Sequence, residues 1–302
     1  MCGIVGLFLK NPDLRPQLGA HVRTMLVGMT ERGPDSAGIA VYHRPVAAGQ
    51  CKLTVFHPDP HYHWREIGGA LGEAFDAEVD VEHKSNHAVI TVAADEAAAR
   101  AWIARHHPEV RVMGYGQLME VYKDMGLPAE VARKYGLAAM EGSHAIGHTR
   151  MATESAVTTE HSHPFTAAPD MCLVHNGSLS NHNNLRRWLR RRGLEFETDN
   201  DSEVAARYFA YRLGEGASLA EALEAGLRDL DGFYTFTMGT RDGFAVLRDG
   251  IACKPAVLAE TDDWVAMASE FRSLADLPGV EKAVIWEPVP AVVYTWSVQG
   301  TA

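Results

Sequence analysis

The sequence predicts an α+β fold in which two β-sheets pack face to face and helices cover both outer faces, a four-layer αββα arrangement. Short apolar strands open the chain, helices occupy its middle, and short strands separated by turns fill its last part. Strands at both ends with helices between them are typical of two sheets that share one interior. The chain has 302 residues, 46% of them apolar, which is enough to bury a large core.

The first fifty residues predict one strand, one helix and a second strand. The apolar run GIVGLFL at 3–9 predicts a buried strand, and an Asn-Pro turn separates it from an amphipathic helix over roughly 16–30. The segment RGPDSAG at 32–38 is rich in turn-forming residues and predicts a loop. A short strand follows from Ile39 to Tyr42.

The sequence pattern of residues 50–142 differs from that of the flanking regions and predicts an inserted β-α-β subdomain. A strand at 87–93 leads to Asp95, whose side chain suits the N-cap of an alanine-rich helix, and a second strand follows at 110–115. We expect the next stretch, 117–135, to be helical with a break at Gly126–Pro128.

The main domain resumes after residue 142. A strand over 143–149 ends at Arg150, and a strand over 171–175 ends at the turn Asn176–Gly177. We expect Ser180 to cap the next helix and Gly193 to end it. The remaining predicted elements are two helices and six strands, at 202–213, 218–230, 233–239, 243–249, 255–260, 264–269, 283–288 and 291–296.

Composition and charge exclude several classes of protein. The formal net charge of -11 argues against a nucleic-acid partner, because phosphate binding needs an excess of Lys and Arg. No apolar run approaches about 18 residues, and the N-terminus lacks a basic stretch followed by an apolar one. We therefore expect no membrane association and a cytoplasmic location. The arginine-rich run at 186–192 is either a solvated helix end or a contact for an acidic partner protein.

The cysteines and histidines do not predict a metal site. Cys2, Cys51, Cys172 and Cys253 are far apart and form no CxxC pair, so free thiols are expected. The histidines of HPDPHYH at 57–63 lie in a proline-containing loop with no acidic or thiol ligand at a suitable spacing.

Cys2 is the candidate nucleophile. Aminopeptidase trimming of Met1 is favoured by a small second residue, and it would give Cys2 a free α-amino group beside its own thiol. An α-amine titrates near about 7.7–8.0 and a thiol near about 8.5, so the amine is a suitable base without a separate histidine. The alternative is a cysteine that packs at the start of a strand.

Five motifs in order give this chain a family resemblance. RGPDSAG at 32–38, GHTRMAT at 147–153, HNG at 175–177 and DNDSE at 199–203 precede a C-terminal part with Ser269-Glu270. In order and character, these motifs and Cys2 resemble those of the class II glutamine amidotransferases, which have the N-terminal-nucleophile hydrolase fold. The resemblance covers residues 2–49 and 143–275 and leaves 50–142 outside it.

The resemblance implies a catalytic group and an oxyanion site. Cys2 would attack the substrate amide, and the Asn176 side-chain amide with the Gly177 backbone N–H would stabilise the oxyanion. One such donor typically contributes about 2.7–4 kcal/mol to transition-state stabilisation. Without the other motifs, HNG would be read as an ordinary turn.

It also implies a recognition site for the amino-acid part of glutamine. Arg150 would bind the α-carboxylate through its planar fork, Asp201 would bind the α-ammonium, and Thr153 would line the site. Asp201 is also a candidate N-cap for the following helix. We expect Arg32 to brace the N-terminal segment, with Asp35 as its counter-charge.

Two positions depart from the family pattern. Met151 stands where the family commonly has Trp or Tyr, and Glu154 replaces a frequent His. Both follow Arg150, so the resemblance predicts an altered substrate pocket. A flexible methionine would leave more room near the amide.

The narrower resemblance is to the amidotransferase subunit of glutamate-synthase-like complexes, in particular the first subunit of N-methylglutamate synthase. Nothing after residue 275 resembles a site that consumes ammonia, so we expect the acceptor site on partner synthase subunits. The implied substrates are glutamine or γ-glutamylmethylamide. This chain would carry no cofactor, whereas the partners would carry FMN and an iron–sulfur cluster. The alternatives are a stand-alone γ-glutamyl amide hydrolase and a catalytically inert assembly or sensing subunit.

Overall fold

A computed structural model describes residues 2–151 and 157–298, so Thr153 and Glu154 lie outside the described residues. The helices of the described part are α1 (Leu18–Gly28), α2 (Trp64–Phe75), α3 (Glu96–His106), α4 (Pro128–Lys134), α5 (His182–Arg190), α6 (Asp201–Gly214) and α7 (Leu219–Asp229). None of these helices combines the length and hydrophobicity needed to cross a membrane.

The strands of the described part form three antiparallel sheets. In chain order they are β1 (Gly3–Leu9), β2 (Ser36–Tyr42), β3 (Cys51–Phe56), β4 (Val79–Lys84), β5 (His87–Val92), β6 (Arg111–Gly116), β7 (Met119–Met125), β8 (His144–Arg150), β9 (Phe165–Ala168), β10 (Met171–Leu179), β11 (Gly232–Thr240), β12 (Gly243–Arg248), β13 (Val257–Glu260), β14 (Trp264–Ala268), β15 (Val284–Trp286) and β16 (Val293–Ser297). The sheets have the orders β15-β13-β14-β1-β8-β2-β7, β16-β12-β11-β10-β9 and β4-β5-β3-β6.

The seven-stranded and five-stranded sheets share an apolar interior. Ile4 and Ile146 of the larger sheet belong to the same buried cluster as Val174 and Val246 of the smaller one. Helix α1 packs on the larger sheet through a second cluster, and α5, α6 and α7 pack on the smaller sheet through a third. The α+β prediction is confirmed. The four-layer order stays a prediction, which this packing supports.

The four-stranded sheet forms a separate unit over residues 51–116. Its core includes Trp64 and Leu71 of α2 and Ile103 of α3. The predicted cap of α3 is present, since the Asp95 side chain accepts a hydrogen bond of 2.9 Å from the Ala98 N–H. As a domain division, 50–142 stays a prediction, but residues 119–125 pair with the seven-stranded sheet.

The predicted helix over 117–135 is wrong in its first half. Residues 119–125 form β7, which pairs with β2 from Ser36↔Met125 to Tyr42↔Met119. The charged residues Glu120, Lys123 and Asp124 made this stretch resemble a helix, yet all three are buried. Their partners come from distant parts of the chain, which local sequence patterns do not reveal.

Two smaller predictions also need correction. Helix α5 begins after Asn181, and Ser180 is not its cap, because the Ser180 N–H and hydroxyl both donate to the Asp231 carbonyl. The predicted loop at 32–38 ends earlier than expected, since Ser36 already belongs to β2. In both cases contacts with distant residues decide the boundary.

Candidate active site

Cys2 is fixed at the start of β1 through its backbone carbonyl. Arg32 Nε donates to the Cys2 oxygen at 3.0 Å, and Asn176 Nδ2 donates to the same oxygen at 3.2 Å. Arg32 follows α1, whereas Asn176 lies on β10 of the other sheet. Two elements that are remote in sequence therefore meet at Cys2, which is itself only partly buried.

The brace around Cys2 includes residues from the C-terminal strands. Arg32 Nη1 forms an ion pair with Glu270 Oε1 at 2.7 Å, and the Ser269 hydroxyl accepts from the Ile4 N–H at 3.0 Å. Sequence reasoning noted Ser269-Glu270 only as a motif and missed Glu270 as an ionic partner of Arg32. For Asp35, the structure places the backbone N–H 3.1 Å from the Arg150 carbonyl.

Gly177 occupies a position that only glycine fits. Its φ is +154°, and a Cβ there would lie 2.0 Å from the Phe233 carbonyl oxygen. The predicted turn at Asn176–Gly177 is wrong, because β10 continues to Leu179 and pairs Gly177 with Tyr234. The strand continues because β11 provides partners over its whole length.

The Gly177 N–H points to the edge of β10 that, among the described strands, is left unpaired beyond Leu173. Strand β9 pairs with β10 only as far as Leu173. Beyond it, the His175 N–H donates to His163 Nδ1 at 3.3 Å and the Leu179 N–H donates to Asp201 Oδ2 at 2.8 Å. Alternate N–H groups of a strand point to the same side, so the Gly177 N–H lies between these two on the same edge.

Arg150 ends β8 at the same end of the larger sheet as Cys2. The β1–β8 register pairs Gly3 with Thr149, and the β2–β8 register pairs Ser36 with Arg150. Arg150 is only 6% exposed, and its Nη1 donates to the His161 carbonyl at 3.4 Å. Arg150 is therefore not an ordinary surface arginine.

Asp201 is the first residue of α6 and not its cap. The N-cap is Asn200, whose side chain accepts from the Ser202 N–H at 2.9 Å. The contact between Asp201 and Leu179 holds this carboxylate beside β10, two residues beyond Gly177.

Arg186 fixes the approach to α6. It is 8% exposed, and its guanidinium donates to the carbonyls of Thr198 and Asn200. Because Arg186 is buried, it does not belong to a solvated helix end, whereas the contact of the run with an acidic partner stays a prediction. It positions the backbone directly before Asp201.

Three buried histidines were missed by sequence reasoning. The rings of His148 and His163 stack at 3.9 Å, His148 Nε2 lies 3.1 Å from the His175 carbonyl, and His175 Nδ1 lies 2.8 Å from the Ser202 hydroxyl. Burial lowers the pKa of His148 to about 3 and also lowers those of His163 and His175. They are therefore neutral near pH 7. In the sequence, these histidines belong to the segments GHT, HNG and HSHP, each of which lies close to the end of a strand. That position was the available signal.

The described residues contain no group of three or more His, Cys, Asp or Glu side chains with the geometry to hold a metal ion. Cys2, Asn176, Gly177, Arg150 and Asp201 offer a thiol, amide donors and charged recognition groups at one end of the two sheets. These groups suit nucleophilic attack on an amide of a small amino acid.

Comparison with known proteins agrees with this chemistry. A family model described as a glutamine amidotransferase domain matches residues 148–276. The glutamine amidotransferase-like protein GlxB of Rhizobium meliloti (strain 1021) is 54% identical over 303 residues, covering 100% of both chains. A putative glutamine amidotransferase of Methanothermobacter thermautotrophicus is 32% identical over 97% of this chain and 99% of its own.

Solved structures support the same fold. The glutamine phosphoribosylpyrophosphate amidotransferase of B. subtilis matches with a TM-score of 0.63 at 20% identity. The match covers 99% of this chain and 48% of that one, so this chain spans about half the length of that protein. With the full-length relatives, this places the chain in the glutamine amidotransferase family.

Proposed function

We propose that this chain hydrolyses the γ-amide of glutamine, or of a small N-alkyl γ-glutamyl amide such as γ-glutamylmethylamide, and supplies the amine to a partner synthase subunit. One observation carries the proposal. The Asn176 side-chain amide contacts the Cys2 carbonyl, and the Gly177 N–H lies on the edge of β10 that β9 leaves unpaired beyond Leu173. A substrate carbonyl at the Cys2 thiol would have hydrogen-bond donors beside it.

The reaction begins after removal of Met1. The free α-amine of Cys2 takes the thiol proton, and the sulfur attacks the amide carbon. Asn176 Nδ2 and the Gly177 N–H stabilise the oxyanion. The C–N bond then breaks, and ammonia or the alkylamine departs with the proton from the Cys2 α-ammonium, which leaves a γ-glutamyl thioester on Cys2. The Cys2 α-amine then deprotonates a water molecule, which hydrolyses the thioester, releases glutamate and restores the thiol.

The amino-acid part of the substrate is held by charge. The Arg150 guanidinium forms a bidentate contact with the α-carboxylate, and the Asp201 carboxylate accepts hydrogen bonds from the α-ammonium. Thr153, which lies outside the described residues, is assigned to the same site by the resemblance alone. The burial of Arg150 supports this role, because charged contacts are stronger where water is excluded.

The partner is a synthase that combines the released amine with a 2-oxoacid to form glutamate or N-methylglutamate. FMN and an iron–sulfur cluster on the partner subunits would supply the electrons for this reductive amination. The narrower resemblance stated above supports this pairing.

The test compares kcat/KM for glutamine and γ-glutamylmethylamide, on protein whose first residue is shown to be Cys2 by intact mass. Met151 is 37% exposed and, by the resemblance, stands where the family commonly has Trp or Tyr. One methyl group is normally worth only about 1–3 kcal/mol of discrimination, so we expect the methylamide to be cleaved at least as well as glutamine.

The comparison is made on the isolated chain and on the chain combined with the proposed partner synthase subunits. We expect slow turnover by the isolated chain and faster turnover in the complex. Rejection of the methylamide by more than about a hundredfold in the complex would overturn the N-alkyl substrate but leave glutamine hydrolysis. Full activity of the isolated chain would favour a stand-alone hydrolase.

A further inference from the structure

The Lys123 ammonium group donates hydrogen bonds to three carbonyls of one backbone segment. It lies on β7, is only 4% exposed, and donates to the carbonyls of Glu160 at 3.3 Å, Ser162 at 2.9 Å and Pro164 at 3.3 Å. Burial lowers its pKa to about 8, so the ammonium form still predominates near pH 7. A single buried side chain therefore binds three carbonyls of residues 160–164.

The same segment also contacts the candidate recognition arginine, Arg150. In the sequence, His161 lies between Glu160 and Ser162, two of the three residues whose carbonyls Lys123 binds, and its own carbonyl accepts from Arg150 Nη1 at 3.4 Å. The segment turns here, since the Ser162 N–H donates to the Thr159 carbonyl at 3.2 Å. Lys123 and Arg150 thus bind neighbouring carbonyls of the same turn.

A neighbour of Lys123 on β7 adds a further tether. Asp124 Oδ1 accepts from the Thr159 hydroxyl at 3.2 Å, and Asp124 Oδ2 accepts from Asn86 Nδ2 of the β4–β5 turn at 3.1 Å. The segment before β9 is therefore fixed from β7 at two points. Through Asp124, it is also connected to the four-stranded sheet.

We propose that Lys123 is a positioning residue for substrate recognition, which holds residues 160–164 so that the His161 carbonyl orients the Arg150 guanidinium toward the substrate carboxylate. This rests on the proposed role of Arg150 in binding a γ-glutamyl substrate. Lys123 itself does not touch the substrate, and its effect is transmitted through backbone carbonyls. A displacement of about 1 Å at such a group is enough to change catalysis by roughly a hundredfold.

The experiment compares Lys123→Met with Lys52→Met. Lys52 is a matched control, because it is 3% exposed and also donates to backbone carbonyls, those of His43 at 3.0 Å and Arg44 at 2.9 Å. We expect Lys123→Met to raise KM for glutamine roughly tenfold or more, with kcat changed less than about threefold. Lys52→Met should lower the unfolding midpoint while leaving KM near that of the parent.

Two milder variants cover the case in which Lys123→Met does not fold. Lys123→Arg keeps the charge but shifts the segment, and Thr159→Val removes the tether to Asp124. Both should raise KM about threefold or more. An unchanged KM in both, or an equal rise in KM for Lys52→Met and Lys123→Met, would overturn the positioning role.

A binding measurement separates this inference from the proposed function. Calorimetry with glutamate measures recognition without hydrolysis, and Lys123 variants should weaken the Kd in parallel with KM. Hydrolysis and binding by the parent, with unaltered Kd in the Lys123 variants, would refute the inference alone. A parent protein that neither hydrolyses glutamine nor binds glutamate would refute both.

Discussion

The Cys2 end of the two large sheets and the junction with the four-stranded sheet hold their buried polar groups differently. At the Cys2 end, Arg32 and Asn176 donate to one backbone carbonyl. At the junction, Lys52 Nζ lies 3.0 Å from Glu120 Oε1, and the Tyr122 hydroxyl donates to Glu120 Oε2 at 2.6 Å. The first arrangement fixes a reacting residue, whereas the second joins a cation and an anion inside the protein.

We therefore expect substitutions in the two regions to have different effects. Changes at the Cys2 end should alter catalysis or recognition with little effect on folding, because its groups serve a ligand. Changes at the junction should alter the free energy of unfolding with little effect on catalysis. The following predictions test this division, in order of decreasing effect.

Cys2→Ala should abolish amide hydrolysis, lowering kcat by roughly 10⁴-fold or more, because no other group supplies the nucleophile. The free energy of unfolding should change by no more than about 1–2 kcal/mol, since little buried volume is lost. Ammonia release and urea denaturation measure the two quantities. Cys253→Ala, at an exposed cysteine, is the control. Substantial turnover by Cys2→Ala would refute the mechanism.

Glu120→Gln should lower the free energy of unfolding by about 3–5 kcal/mol, because it leaves Lys52 buried without its anion. The KM for glutamine should remain that of the parent. Urea denaturation followed by circular dichroism provides the measurement. A loss of stability below about 1 kcal/mol would show that the junction does not depend on this ion pair.

Arg150→Lys and Asp201→Asn should each raise KM for glutamine by roughly 10-fold to 100-fold, because a hydrogen bond to a charged group contributes about 1.5–3 kcal/mol. Arg150→Lys replaces a planar fork by a point charge, and Asp201→Asn removes the anion that faces the substrate ammonium. Steady-state kinetics at saturating and limiting glutamine separate KM from kcat. Parent-like KM values in both variants would mean that the recognition site lies elsewhere.

Acid should lower the free energy of unfolding through a buried histidine in each of the two regions. Burial lowers the pKa of His87 in the four-stranded sheet and of His148 near Cys2 to about 3. Because both folded-state pKa values lie below the unfolded value near 6.5, stability is complete above pH 6.5 and is lost as pH falls toward 3. Each group should cost about 1.4 kcal/mol per pH unit in that range. Urea unfolding at pH 7.5 and 5.5 checks this, and equal free energies at the two pH values would contradict it.

Much of the fold was predictable because its strands are apolar and bounded by turn residues. Residues 3–9 form β1 with the predicted bounds, and Asp95 caps α3 as expected. Strand β7 was not predictable, because its buried charges have partners such as Lys52 and Thr159 that are far away in sequence. Local pattern cannot show that a charged residue is satisfied by a distant group.

The site was predictable as a set of motifs but not as a set of contacts. The sequence indicated that Cys2, Arg32 and Asn176 act together, and the structure brings these three into contact. It did not reveal Glu270 as the partner of Arg32, the stacked histidines, or Lys123. The role of Lys123 depends on three carbonyl groups, which are present at every residue and therefore leave no trace in the sequence.

The hold on Cys2 through its carbonyl has a practical consequence for producing the protein. Arg32 and Asn176 donate hydrogen bonds to the Cys2 carbonyl oxygen, and residues added before Cys2 would leave these hydrogen bonds intact. The same added residues would acylate the α-amine that serves as the base. A protein with an N-terminal affinity tag should thus fold, purify and melt normally, yet fail to turn over. Recombinant work needs a tag at the other terminus, or a cleavable leader whose removal exposes cysteine as the first residue.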